Sequence, residues 1–291
     1  ALISTTHFFM PIVDDAFQFG KIAAANSISD VYAMGGKPVL AIAILGWPVD
    51  KLPASLAQKV TEGARNVCEK AGISLAGGHS IDSPEPFFGL AVNGIVDIKN
   101  LKKNDPANEG DILFLTKPIG VGIFSTALKR NVLKEEHLSI LTEQLSLLNN
   151  FGETLGKVSG VSAMTDVTGF GLAGHLIEMA DGSGLSAELN YGNIVFLDGV
   201  KEYLSQRIVP DATYRNWNSY GKEIEFEKDV NVMEAFSTLP DPQTNGGLLF
   251  AVNPKNISEI IELLMDNNLE EFIEPIGRFI PKQEKSIIVK I

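Results

Sequence analysis

The sequence predicts an α/β protein of two domains, on three observations. Its 291 residues are about twice the length of an average domain of roughly 150 residues. Short apolar runs alternate with segments of helical hydrophobic period throughout. The stretch 97–110 breaks that alternation, carrying Lys99, Asn100, Lys102, Lys103, Asn104 and Pro106 without apolar periodicity, as a domain boundary does. The expected division is an N-terminal α/β domain over 1–98, a linker over 99–110 and a C-terminal α/β domain over 111–291.

In order along the chain, residues 1–6 are apolar and β-leaning and read as the middle of a strand, so the chain reads as a piece of a longer protein. A helix is predicted over 17–34, closed by Gly35-Gly36 as a left-handed C-cap. The apolar run 39–45 reads as a buried strand ended by Gly46-Trp47-Pro48. Helical period returns over 53–71, followed by a strand over 73–76, a loop at Gly77-Gly78-His79-Ser80 and a strand over 87–96. Beyond the linker, strands are predicted over 112–115, 161–164, 185–189, 247–252 and 287–291, and helices over 119–129, 135–155, 172–180 and 257–265. Residues 192–240 give no clear pattern.

Composition narrows the function. With 24 Lys+Arg against 36 Asp+Glu the net charge is -12, which repels nucleic acid and anionic lipid unless a basic patch reverses the field. The densest basic stretch, Lys99, Lys102 and Lys103, is followed at once by Asp105 and Glu109. An anionic substrate such as a nucleotide therefore calls for a metal cation. One cysteine excludes an intrachain disulfide and a multi-cysteine metal site and suits a reducing compartment. No apolar run approaches the ~20 residues that cross a bilayer. A cytoplasmic protein without nucleic-acid or membrane partners is expected.

Several segments have the make-up of a site. Asn26 and Asp30 lie four apart on one helical face among Ala23, Ala24, Ala25, Ile28 and Val31, where a carboxylate needs a partner, either a metal ion or a local hydrogen bond. Gly78, His79 and Ser80 follow an apolar strand, a place where glycine lets backbone approach phosphate and Ser and His add donors. In Thr165-Asp166-Val167-Thr168-Gly169-Phe170-Gly171 a strand delivers an acid to its tip just before a helix, which suits Mg²⁺ beside phosphate. Equally, Asp166 or Thr168 reads as the cap of that helix. Asp241-Pro242-Gln243-Thr244-Asn245-Gly246-Gly247 reads first as a turn. Cys68 sits beside an apolar helix face as a buried thiol, and His137 and His175 lack a second histidine at i+4 for zinc.

Five stretches together resemble the selenophosphate synthetases: Ser-Thr-Thr-x-Phe-Phe-Met-Pro from Ser4, Ile-Ser-Asp-Val-Tyr-Ala-Met-Gly-Gly-Lys-Pro from Ile28, Ala-Gly-Gly-His-Ser-Ile from Ala76, Met-Thr-Asp-Val-Thr-Gly-Phe-Gly-Leu from Met164, and Asp-Pro-Gln-Thr-x-Gly-Gly-Leu-Leu from Asp241. Their order and intervals match across essentially the whole chain. The resemblance implies the fold shared with aminoimidazole ribonucleotide synthetase, with N-terminal-domain strands of two subunits forming a barrel in a homodimer. It implies the reaction of ATP, selenide and water to selenophosphate, AMP and phosphate, assisted by Mg²⁺. By motif, Asp30 is implied as a Mg²⁺ ligand that also approaches the nucleotide, Asp166 as a Mg²⁺ ligand of the second domain, and Gly78, His79 and Ser80 as nucleotide contacts.

Two departures qualify the match. The family's glycine-rich segment, with its Cys or selenocysteine and its essential Lys, precedes the first residue here, so no catalytic nucleophile is expected in this chain, and Cys68 does not replace it. His7 stands where the family has a nucleotide-contacting acid, exchanging a carboxylate for an imidazole. Weakened nucleotide binding and little or no turnover are expected. The alternatives are a non-catalytic nucleotide-binding or dimerising homologue, and another ATP-dependent enzyme of the same fold that releases ADP.

Overall fold

A computed structural model describes residues 1–291. The chain forms two compact units, Ala1–Leu101 with Thr142–Lys157, and Lys102–Leu141 with Val158–Ile291. The segment 142–157 thus belongs with the first unit, which a division at a single linker over 99–110 does not contain.

The first unit is built on a four-stranded sheet of β1 (Leu2–Phe9), β2 (Lys37–Trp47), β3 (Ser74–Asp82) and β4 (Phe87–Ile95). The order is β1-β4-β2-β3; β4 is antiparallel to both neighbours and β3 runs parallel to β2. Two helices cover one face, α1 (Ala16–Ala33) and α2 (Ala54–Lys70). Asp15 caps α1 by accepting from Gln18 N at 2.7 Å, and Gly35 at φ 71 ends it in the left-handed conformation that glycine adopts without strain. The helix is apolar almost all round because it is buried almost all round. On one side it lies on the sheet. On the other it meets α2 backbone to backbone, where a Cβ on Gly20 would stand 1.9 Å from Val60 O and one on Gly63 2.0 Å from Phe17 O.

Two expectations in this unit are corrected. The loop expected at 77–80 is strand: Gly78, His79 and Ser80 pair with Ala43, Ile44 and Leu45 of β2. Glycine is a poor strand former in general, but a Cβ at Gly78 would lie 2.3 Å from Ala43 O, so here only glycine allows the pairing. The helix expected over 135–155 is two helices, α4 (Glu135–Ser146) and α5 (Phe151–Lys157). Between them Asn149 donates its amide to Ser29 Oγ at 2.8 Å on α1. Gly152 packs 2.2 Å from Tyr32 O, measured to a virtual Cβ, so docking on α1 sets the break.

The second unit carries a seven-stranded mixed sheet in the order β6-β9-β5-β10-β7-β11-β8. Its strands are β5 (Ile112–Leu115), β6 (Val161–Asp166), β7 (Leu185–Asn190), β8 (Ile224–Phe226), β9 (Leu248–Val252), β10 (Gly277–Pro281) and β11 (Ile287–Lys290). The interior strand β9 is buried at every position, which is why its sequence is apolar without alternation. Helices α3 (Val121–Lys129), α6 (Gly171–Gly182) and α10 (Ile257–Asp266) answer to predicted helices, while α7 (Val200–Ser205), α8 (Asp211–Tyr220), α9 (Val232–Thr238), β8 and β10 were not legible.

Candidate functional site

In the first unit the pleat of β1 turns Ile3, Thr5, His7 and Phe9 to one face and leaves Leu2, Ser4, Thr6 and Phe8 exposed on the other. Thr5 and His7 thereby meet Asp30 on α1. His7 Nε2–H donates to Asp30 Oδ2 at 2.8 Å, and the Thr5 hydroxyl donates to the same oxygen. Both partners of the His–Asp pair remain about one-third accessible, 37% and 31%, so the carboxylate sits at the rim of the α1–β1 contact. Asn26, one turn earlier, is buried. The expected Asn26–Asp30 stripe therefore exists, and Asp30 finds the partner it needs in β1.

The glycine strand stands elsewhere in the same unit. His7 pairs with Leu90, Leu90 with Ala43, and Ala43 with Gly78, so His7 and Gly78 share one row across the sheet but occupy opposite edges. Three strand spacings put them roughly 14 Å apart. One chain alone does not bring the two groups together. The exposed sheet face carries Leu2, Phe8, Ile42 and Ile95, each at least 40% accessible.

In the second unit Asp166 ends β6 and is buried at 6% exposure. The helix after it starts at Gly171, with Phe170 at the cap position and no side-chain cap, so neither Asp166 nor Thr168 is a helix cap. Thr168 instead engages His175, whose Nε2 accepts from the Thr168 amide at 3.0 Å. Lys117, which the sequence reading passed over, is fully buried near Asp166 and donates to Asn245 O at 3.0 Å. Burial pushes its ammonium down to about 7, and the Asp166 carboxylate opposes that shift. The signal for it was a lone lysine between the apolar runs 112–115 and 119–124, where a charge requires a partner.

The 241–247 segment is more than a turn. Asp241 Oδ2 accepts from Gly122 N at 3.0 Å and from Gln243 Nε2 at 2.8 Å, and Gln243 Oε1 accepts from Val121 N at 3.3 Å. These two side chains satisfy the first amides of α3, whose own cap residue, Gly120, has no side chain. Burial raises the Asp241 carboxyl well above the ordinary range, opposed by the Gln243, Gly122 and Ile123 hydrogen bonds. Cys68 is buried as expected, with its thiol pushed up to about 11 by burial.

Oxygen donors suit Mg²⁺, which binds through one or two carboxylates and completes its shell with water and phosphate. Asp30 in the first unit and Asp166 in the second are each a carboxylate of that chemistry. His7 is the departure, since imidazole nitrogen suits transition metals better and its N–H already engages one oxygen of Asp30.

Models of AIR synthase related proteins match both parts of the chain, the N-terminal domain over residues 1–96 and the C-terminal domain over 108–290. The fold agrees with solved structures at low identity. Thiamine-monophosphate kinase from Stenotrophomonas maltophilia K279a superposes at TM-score 0.76 and 17% identity, covering 100% of this chain and 85% of that one. The hydrogenase maturation protein HypE in complex with ATP gives 0.77 at 16%, covering 99% and 81%. Fold and domains thus define a two-domain protein of the AIR synthase-related class. Closer relatives refine this. The selenide, water dikinase of Haemophilus influenzae (strain 86-028NP) is 51% identical over 291 residues, 100% of this chain and 82% of the relative. That of Aeromonas hydrophila is 53% identical over 277 residues, 95% and 79%, and that of Yersinia pseudotuberculosis 51% over 290 residues, 100% and 82%. The chain belongs to the selenide, water dikinase family.

Proposed function

We propose that this chain serves the ATP-dependent synthesis of selenophosphate from selenide and water, with AMP and phosphate as the other products. The observation that carries the reading is identity of 50% or more to selenide, water dikinases along the whole chain. Asp30 and Asp166 would hold Mg²⁺, which neutralises the polyphosphate of ATP in a protein whose own charge is -12. Gly78, His79 and Ser80 would contact the nucleotide, and His7 would face it in place of the family's acid.

The protein would act as a homodimer. Support comes from the exposed apolar face of the first sheet, which is unusual on a monomer, and from the placement of His7 and Gly78 on opposite edges of that sheet. A second copy is the simplest source of the missing half. No helix is long and apolar enough to cross a membrane, and the single buried cysteine suits a cytoplasmic protein.

A second reading has one observation in its favour. The His7–Asp30 hydrogen bond occupies an oxygen that a cation would use, as expected of a homologue that binds or dimerises without turnover. The experiment that separates the readings follows ATP, selenide and Mg²⁺ by ³¹P NMR, using the protein with the family's N-terminal glycine-rich segment in place and, in parallel, its His7→Asp variant. Selenophosphate and AMP in equal amounts are expected. AMP formation that ignores selenide in both samples, or ADP as the product, overturns the reading.

A further inference from the structure

Between α2 and the β2–β3 edge of the first sheet lies a cavity of about 240 Å³. Its apolar lining includes Leu45 and Leu75, and its polar lining joins Gly78 and Ser80 of β3 to Thr61 and Arg65 of α2. Arg65 is the only arginine among residues 1–101 and 142–157. It is exposed, makes no ion pair, and leaves Glu69 one helical turn away unengaged. Thr61 donates its proton to Ala57 O at 2.9 Å and keeps its lone pairs for a donor.

A guanidinium without a carboxylate, at the mouth of a cavity and in a strongly acidic protein, is a site for an anion with oxygen acceptors in a plane or fork. The neighbouring strand favours phosphate over a carboxylate-bearing side chain of another protein. A virtual Cβ at Gly77 meets nothing within 4 Å, so backbone there is open to close approach. β3 is also an edge strand with half of its amides unpaired by the sheet. We propose that Arg65 recognises a phosphate group of the bound nucleotide at this cavity, while the apolar lining takes a non-phosphate portion of the same ligand. The inference rests on the assignment of nucleotide contacts to Gly78, His79 and Ser80, and it adds the cationic residue that those contacts lack.

The test is amide NMR and calorimetry on the whole chain with three probes, MgATP, adenosine and inorganic tripolyphosphate, using wild type, Arg65→Ala and Arg65→Lys. Circular dichroism and melting temperature establish that the variants fold; Arg65 is exposed on a helix and alanine favours helix. For Arg65→Ala, MgATP and tripolyphosphate should bind about tenfold or more weakly, with adenosine unchanged and Arg65→Lys intermediate, and wild-type shifts should centre on Thr61 and residues 77–80. Unchanged MgATP affinity in Arg65→Ala overturns the inference and leaves the nucleotide reading standing. Should wild type bind tripolyphosphate through Arg65 but no ATP, the phosphate site stands and the nucleotide reading falls. Absence of binding by all three probes to wild type overturns both.

Discussion

Replacing His7 by aspartate probes the Asp30 site directly. The His7–Asp30 contact of 2.8 Å joins two side chains that are 37% and 31% accessible, so the pair contributes only about 0.2–1 kcal/mol. In His7→Asp that contribution disappears and two carboxylates face each other across a few ångströms of partly solvated space. Their repulsion is roughly 1–3 kcal/mol, between the aqueous and near-surface limits. Without divalent cations the variant should therefore melt below wild type. Mg²⁺ relieves the repulsion and finds two carboxylates where wild type presents one that is engaged, so its affinity should rise about tenfold or more, equivalent to ~1.4 kcal/mol. Melting curves in EDTA, in a MgCl₂ series and in NaCl of matched ionic strength measure both effects, with calorimetry for affinity. A His7→Asp protein that melts like wild type in EDTA, or gains no more from MgCl₂ than wild type does, refutes the idea that His7 holds Asp30 against a cation.

Three further outcomes are expected. Lys117 has a lowered folded-state pKa, so between about 7 and the ordinary lysine value the unfolded chain binds the extra proton and this group's contribution to stability rises with pH. Urea denaturation at pH 7, 8 and 9 should show wild type gaining on Lys117→Met by about 1 kcal/mol per pH unit; a pH-independent gap rejects the buried-ammonium account. Asp241→Ala strands the amides of Gly122 and Ile123 and the amide of Gln243 in a fully buried place, at about 3–5 kcal/mol. Scanning calorimetry should register a fall of about 10 °C, with Asp241→Asn, which keeps an acceptor, losing less than half as much. Ile42→Asp places a charge on the exposed sheet face, and light scattering should find monomer where wild type is dimer; a wild type that is already monomeric removes the dimer proposal.

The α/β alternation and most element positions were legible because buried faces write their own period: continuous apolar residues in β9 and helical spacing in α2. Asp30 and Asp166 were legible as acids set in apolar surroundings, where a partner is obligatory. The break between α4 and α5 was not, because it is caused by docking of Asn149 and Gly152 on α1 rather than by any local breaker. Nor was the strand at 77–80, since local propensity counts two glycines against it, and only the tertiary structure shows Gly78 pressed against Ala43 and Gly77 at a positive φ of 156°. Residues 192–240 fold into short elements of three to ten residues, below the length at which a period declares itself.

By itself the sequence determined the fold class and the family, because these depend on hydrophobic period and on motif spacing, both local to the chain. Only the tertiary structure decided which side chains meet. It paired His7 with Asp30, set Gly78 on the opposite edge of the same sheet, buried Lys117 near Asp166 and turned Asp241 and Gln243 to the start of α3. Each of these joins residues at least 20 positions apart, and such contacts are set by how strands and helices pack rather than by the order in which residues follow one another.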